Sequence, residues 1–177
     1  EKRLNKFDVI HVDIQWCMEP AGGADHIVSY ISEKTISELK EYYPDVLTEN
    51  LVSLPEVLSK INTETGTKFI VIIDEWDALF REASADETIQ KSYIQLLRAL
   101  FKGVQISQFL AGAYMTGILP IKKYGTQSAL TDFREFSMLE PGLLAEYVSF
   151  TEKEVRDLCQ TNYMDFDGLK TAFQMLW

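Results

Sequence analysis

The stretch Phe69-Ile-Val-Ile-Ile-Asp-Glu-Trp-Asp77 constrains the fold more than any other part of the sequence. Its apolar run is unbroken, rich in β-branched residues and too short for a helix. Such runs suit a strand of a parallel sheet covered on both faces. Asp74 and Glu75 then leave together at the C-terminal end of that strand. In open α/β sheets this is the edge where ligands bind. The alternative is a strand ending in a solvated acidic turn that caps the next helix.

The flanking patterns build an α/β chain around this strand. Phe7–Ile14 (FDVIHVDI) and Ile106–Met115 read as two more apolar strands, and Arg134–Met138 (REFSM) as a weaker candidate. Ala24–Tyr43 carries Ile27, Val28, Ile31, Thr35, Leu39 and Tyr42 at helical spacing, with Pro44 as a stop. Ser53 and Glu56 fit a capping box before a short helix that Gly66 ends, and Ser84 and Glu87 fit another. The helix after Glu87 runs along Ile89, Tyr93, Leu96, Leu97, Leu100 and Phe101 to Gly103. From Thr151 the texture is helical: Thr151 and Glu154 cap one helix, and Asp165 or Asp167 starts another. Strands alternating with helices imply right-handed crossovers and a parallel sheet. The expected organisation is a core over 1–150 and a helical segment over 151–177, whose apolar face takes in Val155, Leu158, Leu169 and Phe173.

Composition narrows the function classes. Of 177 residues 46% are hydrophobic, and 10 Phe, 8 Tyr and 3 Trp can fill a core, which excludes a disordered chain. With 17 Lys+Arg against 27 Asp+Glu the net charge is −10, a poor match for a phosphate backbone, so direct nucleic-acid binding is not expected. Cys17 and Cys159 are too few for a disulfide framework or a Cys-rich zinc site, and predict a reduced, cytoplasmic setting. The apolar stretch Ile106–Ile121 is interrupted by Ser107, Gln108 and Thr116 and falls short of the roughly 20 residues that span a bilayer, so no membrane partner is expected. Glu1 in place of Met and the abrupt end at Trp177 predict a piece of a longer protein.

Few residues are placed to carry chemistry. In P-loop ATPases an apolar strand ending in Asp-Glu is the Walker B motif: the first acid holds the magnesium shell, usually through water, and the second polarises the attacking water. Asp74 and Glu75 fit those roles. Thr116, opening Thr-Gly-Ile-Leu-Pro120 at the end of the next strand, would emerge beside Asp74 if the strands are neighbours, as a sensor 1 residue does. Lys122, Lys123 and Arg134 follow, either as solvated charge or as a finger that reaches a phosphate in cis or across a subunit boundary. His11, mid-strand, reads as a satisfied core side chain. His26, Cys159 and Gly22-Gly23 lack the neighbours that ligation, nucleophilic attack or a phosphate cradle requires.

At these residues a resemblance emerges. IIDEWDALF, YIQLLRALFK, AYMTGILPIKKYGTQSALTDF and SFTEKEVRDLC resemble the bacterial AAA-ATPase-like family, from about Phe7 to the end of the chain. The resemblance implies a P-loop ATPase core of the additional-strand type, with Phe69–Ile73 between Phe7–Ile14 and Ile106–Met115 and all three parallel, followed by the start of a helical lid at Thr151. It implies ATP and Mg2+ as ligands, Asp74 and Glu75 as the Walker B pair and Thr116 at the sensor position. Lys122 and Lys123 belong to the same signature, and Asp13 falls in the family's VIHLDI-like segment. Family members place the phosphate-binding loop ahead of this region, and many carry a restriction-like nuclease domain after it. No GxxxxGK[ST] occurs in this sequence, so the chain alone is not expected to bind or hydrolyse ATP. A homo-oligomer is compatible with a residue acting across subunits. A DExD helicase is a close relative of this reading and ranks below it, and a non-catalytic interaction or regulatory module that keeps the fold is the alternative from another class.

Overall fold

The computed structural model describes residues 6–82, 86–120, 133–137, 140–145, 147 and 150–174. The chain divides into two compact units, Glu1–Phe133 and Arg134–Trp177.

The first unit is α/β. Its strands are β1 (Asp8–Asp13), β2 (Phe69–Asp74) and β3 (Leu110–Met115). They form a parallel sheet in the order β1-β2-β3, so β2 is central, the order the resemblance implies. Along β2 burial alternates: Phe69, Val71 and Ile73 are buried, while Ile70, Ile72 and Asp74 are half-buried. The buried row, with Ile10 and Val12, faces helices α2 (Ile27–Tyr42), α3 (Leu54–Thr65) and α5 (Glu87–Phe101) across an apolar cavity of about 20 Å³. Ile27, Val57, Leu58, Ile61, Phe69, Leu79 and Leu97 are fully buried in this core. Each such side chain contributes about 1.5–3 kcal/mol by leaving water. The opposite face is different. Val9 is 57% and Tyr114 51% exposed, and His11 between them is exposed rather than a core side chain. In register His11 stands opposite Ile72, and Ile72 opposite Tyr114.

Several local expectations need correction. β1 stops at Asp13, because the Asp13 side chain accepts from Trp16 N (2.9 Å) and caps a short helix α1 (Ile14–Met18). Ile106–Phe109 is a helical turn, α6, and only Leu110–Met115 is strand. Ile106 and Phe109, three apart, are both buried while Ser107 and Gln108 are exposed, which is helical periodicity and not strand alternation. Ser53 stands at the N-cap of α3 but makes no side-chain bond, so its capping box does not form. Pro55 at N2 removes one of the two N–H groups an N-cap hydroxyl can reach, and the other, Glu56 N at N3, is not bonded by Ser53 either. Gly66 ends α3 as expected, in the left-handed region at φ 72°. The N-cap of α5 is Asp86, which accepts from Thr88 N (2.9 Å) and Ile89 N (3.1 Å); Ser84 lies outside the described residues.

In the second unit residues 134–137 form no strand, and Met138 lies outside the described residues. Ser137 and Glu140 exchange backbone bonds (Ser137 N to Glu140 O 3.3 Å, Glu140 N to Ser137 O 3.2 Å), which takes up groups a ladder would need. Helices α7 (Glu152–Thr161) and α8 (Phe166–Gln174) follow. Thr151 and Glu154 close the predicted capping box. Val155 and Leu169 are half-buried as expected, but Leu158 is 49% exposed and Cys159 takes the buried position; the Phe173 side chain lies outside the description. Arg156 stacks 4.1 Å from the Phe166 ring centroid and pairs with Glu152 and Asp167, so cation–π and ionic contacts hold the α7–α8 pair.

Tyr93 on α5 is fully buried, and its hydroxyl has no hydrogen-bond partner among the described residues. Burial pushes its phenol far above the usual tyrosine range, with the charges of Asp77 and then Cys17 adding to the rise. Because the folded state holds this proton more tightly than the unfolded chain, the stability it contributes is complete below the unfolded value of 10.0 and is lost as pH rises above it. Tyr93→Phe is expected to leave the urea midpoint at neutral pH unchanged or raise stability by up to about 1 kcal/mol, since no hydrogen bond is given up. At about pH 10.5 the parent is expected to weaken more than the variant. A loss above about 1 kcal/mol at neutral pH would show that the hydroxyl is partnered.

Candidate functional site

The parallel register levels the strand ends. Asp13 stands opposite Asp74, so two carboxylates emerge side by side at the C-terminal edge of β1 and β2. Thr116 leaves β3 at the same level. Its N–H donates to Ile73 O (2.9 Å), and its carbonyl accepts from Trp76 N (2.9 Å). The turn after β2 and the turn after β3 are thereby laced together through backbone.

This lacing brings the expected residues into one place. The Thr116 hydroxyl donates to Asp74 Oδ1, which also accepts the Glu75 N–H (3.0 Å). A hydroxyl has one proton to give, so Thr116 spends it on Asp74 and keeps only lone pairs for a further donor such as water. Glu75 follows at φ 51°, a left-handed conformation that costs a non-glycine residue about 1–2 kcal/mol. Its carboxylate accepts from Arg81 Nη2 on α4 (Ala78–Glu82). Lys122 and Lys123 lie outside the described residues. Arg134 belongs to the second unit, where its guanidinium sits 5.1 Å from the Phe136 ring centroid.

Two residues that the sequence reading did not assign complete the cluster. Asp77 is fully buried, with its Oδ2 accepting from Leu119 N (2.8 Å) and Ile118 N (3.2 Å), and facing Arg81 Nε at 3.6 Å. Its Oδ1 has no hydrogen-bond partner among the described residues. Arg81 therefore faces both Asp77 and Glu75, with 30% of its side chain exposed. The signals were present: Asp77 and Arg81 have helical i,i+4 spacing, and Asp77 precedes the apolar Ala-Leu-Phe of a buried helical turn. Around them Trp76 packs on Phe80 (5.4 Å) and Phe80 on Tyr93 (6.0 Å), excluding water from one side. Cys17, beneath the same edge, is a thiol held protonated: burial raises its value first, then the charges of Asp13 and Glu38.

The donor set is hard oxygen. Among the described residues no cluster of three or more His, Cys, Asp and Glu could hold a metal alone. Asp74 with Asp13 in register suits a cation such as Mg2+, which keeps several waters and takes one or two carboxylates plus substrate phosphates. Beside the edge an open recess of about 590 Å³ is bordered by Gln15, Met18, Glu19, Gly22, Gly23, Ala24 and Glu82.

A family model described as AAA-ATPase_like, Predicted AAA-ATPase, matches residues 1–126, more than half of the chain. No curated protein and no solved structure matches it. Among the described residues no helix is long and apolar enough to cross a membrane.

Gly117 sits where the two turns touch. A Cβ built on it would lie 2.5 Å from both Asp77 Oδ1 and Trp76 Cδ1, closer than real contacts allow. Gly117→Ala is therefore expected to destabilise the first unit by about 1–3 kcal/mol in urea unfolding, as overpacking does. An unchanged midpoint would show that the two turns are not packed this closely.

Proposed function

The chain belongs to the predicted AAA-ATPase-like family, and on that premise we propose that it carries the hydrolytic edge of an ATP-hydrolysing domain. One observation supports this reading above the others: Thr116, Asp74 and Glu75 converge at the C-terminal edge of a parallel sheet, the side on which α/β folds act. In this reading Asp74 holds Mg2+, usually through water, with Asp13 alongside. The ion would neutralise the nucleotide's phosphates. Thr116 fixes the rotamer of Asp74 and offers its lone pairs to a water. Glu75 takes the proton of the attacking water. The core is of the additional-strand type, with the phosphate-binding loop supplied by sequence ahead of residue 1. Lys122, Lys123 or Arg134 contacts phosphate, in cis or across a homo-oligomer. The segment from Thr151 opens a helical lid, a nuclease domain is joined downstream in the cytoplasmic protein, and ATP turnover drives a conformational change.

A second reading, a non-catalytic interaction or regulatory module, draws support from the Arg81 contact, which already occupies the Glu75 carboxylate. Turnover separates the two. In the full-length protein Glu75→Gln is expected to keep nucleotide binding and lose roughly 10²- to 10⁴-fold in hydrolysis, the usual contribution of a general base. Turnover equal to the parent would remove Glu75 from the mechanism, and a parent that binds ATP without hydrolysing it would favour the module.

This chain by itself is expected to show no micromolar binding of Mg-ATP by calorimetric titration. A phosphate cradle needs backbone N–H groups, a Lys on the β- and γ-phosphates and a hydroxyl ligand to magnesium, and no Gly-Lys pair occurs in the sequence. Magnesium-dependent micromolar binding would reveal a phosphate site elsewhere in the chain.

A further inference from the structure

We propose that Asp77 and Arg81 are the positioning residues of this edge: the buried Asp77 carboxylate latches the turn after β3 onto the turn after β2, and holds the Arg81 guanidinium that in turn holds Glu75. The inference rests on the reading of Asp74, Glu75 and Thr116 as the hydrolytic group.

A carboxylate that is fully buried is costly unless charge and hydrogen bonds offset the lost water. Asp77 is offset by two backbone donors from one turn, Ile118 and Leu119, and by one cation from its own helix, Arg81. The two amides come from the turn after β3 and the cation from α4 after β2. The donors fix the segment directly after Thr116, whose hydroxyl orients Asp74. The cation's other end, Nη2, meets Glu75. A planar guanidinium can address two carboxylates at once through separate nitrogens, which an ammonium point charge cannot do from one fixed position. Gly117 is the residue that permits the approach, since any Cβ there would strike Asp77 Oδ1. Loss of the Asp77 charge should therefore loosen Thr116 and Glu75 together, although Asp77 touches neither side chain in the bonds described.

The test uses the full-length protein with Asp77→Asn, which keeps the shape and removes the charge. Hydrolysis at saturating Mg-ATP is expected to fall roughly 10²-fold, as for a catalytic group displaced by about an ångström, with KM within about threefold of the parent. Amide exchange at Ile118 and Leu119 is expected to accelerate at least about tenfold, while Ile70–Ile73 keep their protection. Arg81→Met supplies a second route should Asp77→Asn not fold. It is expected to slow the parent but to add nothing in the Glu75→Gln background, with Arg81→Lys intermediate. Parent-like kcat in Asp77→Asn, or additive losses in the Arg81→Met and Glu75→Gln pair, would overturn the proposal. Should the parent prove not to hydrolyse ATP, the ATPase reading fails by itself. Exchange at Ile118 and Leu119 then decides the latch: faster exchange in Asp77→Asn supports it and unchanged exchange overturns it.

Discussion

Backbone pairing on both edges of β2 is the constraint from which the rest of the first unit follows. A central parallel strand must satisfy its N–H and C=O groups with two neighbours whose directions match its own, and each neighbour must return through a crossover. Those crossovers are the helices that bury Phe69, Val71 and Ile73. The same pairing brings Asp13, Asp74 and Thr116 level at one edge, so the placement of the polar cluster follows from the hydrogen-bond ladder.

The parts legible in the sequence were those where one force dominates. The apolar run of β2 suits a parallel strand, and it pairs as one; its central place was implied by the resemblance and not by the run. The meeting of Asp74, Glu75 and Thr116 at one sheet edge was legible because strand ends and turn residues mark their positions. What stayed hidden depended on competition between local options. Ile106–Phe109 is apolar enough for a strand, and only the burial of Ile106 with Phe109 distinguishes the helical turn. Ser53 and Glu56 carry a capping signature, yet Ser53 makes no side-chain bond to the helix it precedes. His11 looked like core because its strand is apolar, but its face of the sheet is exposed. Asp77 went unassigned because nothing in one sequence shows that two amides some forty residues away will converge on it.

Burying Asp77 shapes the local electrostatics beyond its own contacts. Its charge reaches the Tyr93 phenol, where desolvation already disfavours ionisation, and both effects act in the same direction. On its other side it faces Arg81, which is only partly exposed. The edge is therefore polar on the side of Thr116 and Asp74 and aromatic on the side of Trp76, Phe80 and Tyr93. Charges held between such walls interact more strongly than the same charges in water.

The left-handed backbone at Glu75 bears on how this edge would respond to selection. Glycine enters that region without steric penalty, and asparagine visits it more readily than glutamate does. A sequence drifting under pressure for stability alone would be drawn to those residues at position 75, and each step would make the protein harder to unfold while removing its carboxylate. Retaining glutamate there means forgoing robustness that is one substitution away, as happens where a side chain's chemistry outweighs the comfort of its backbone.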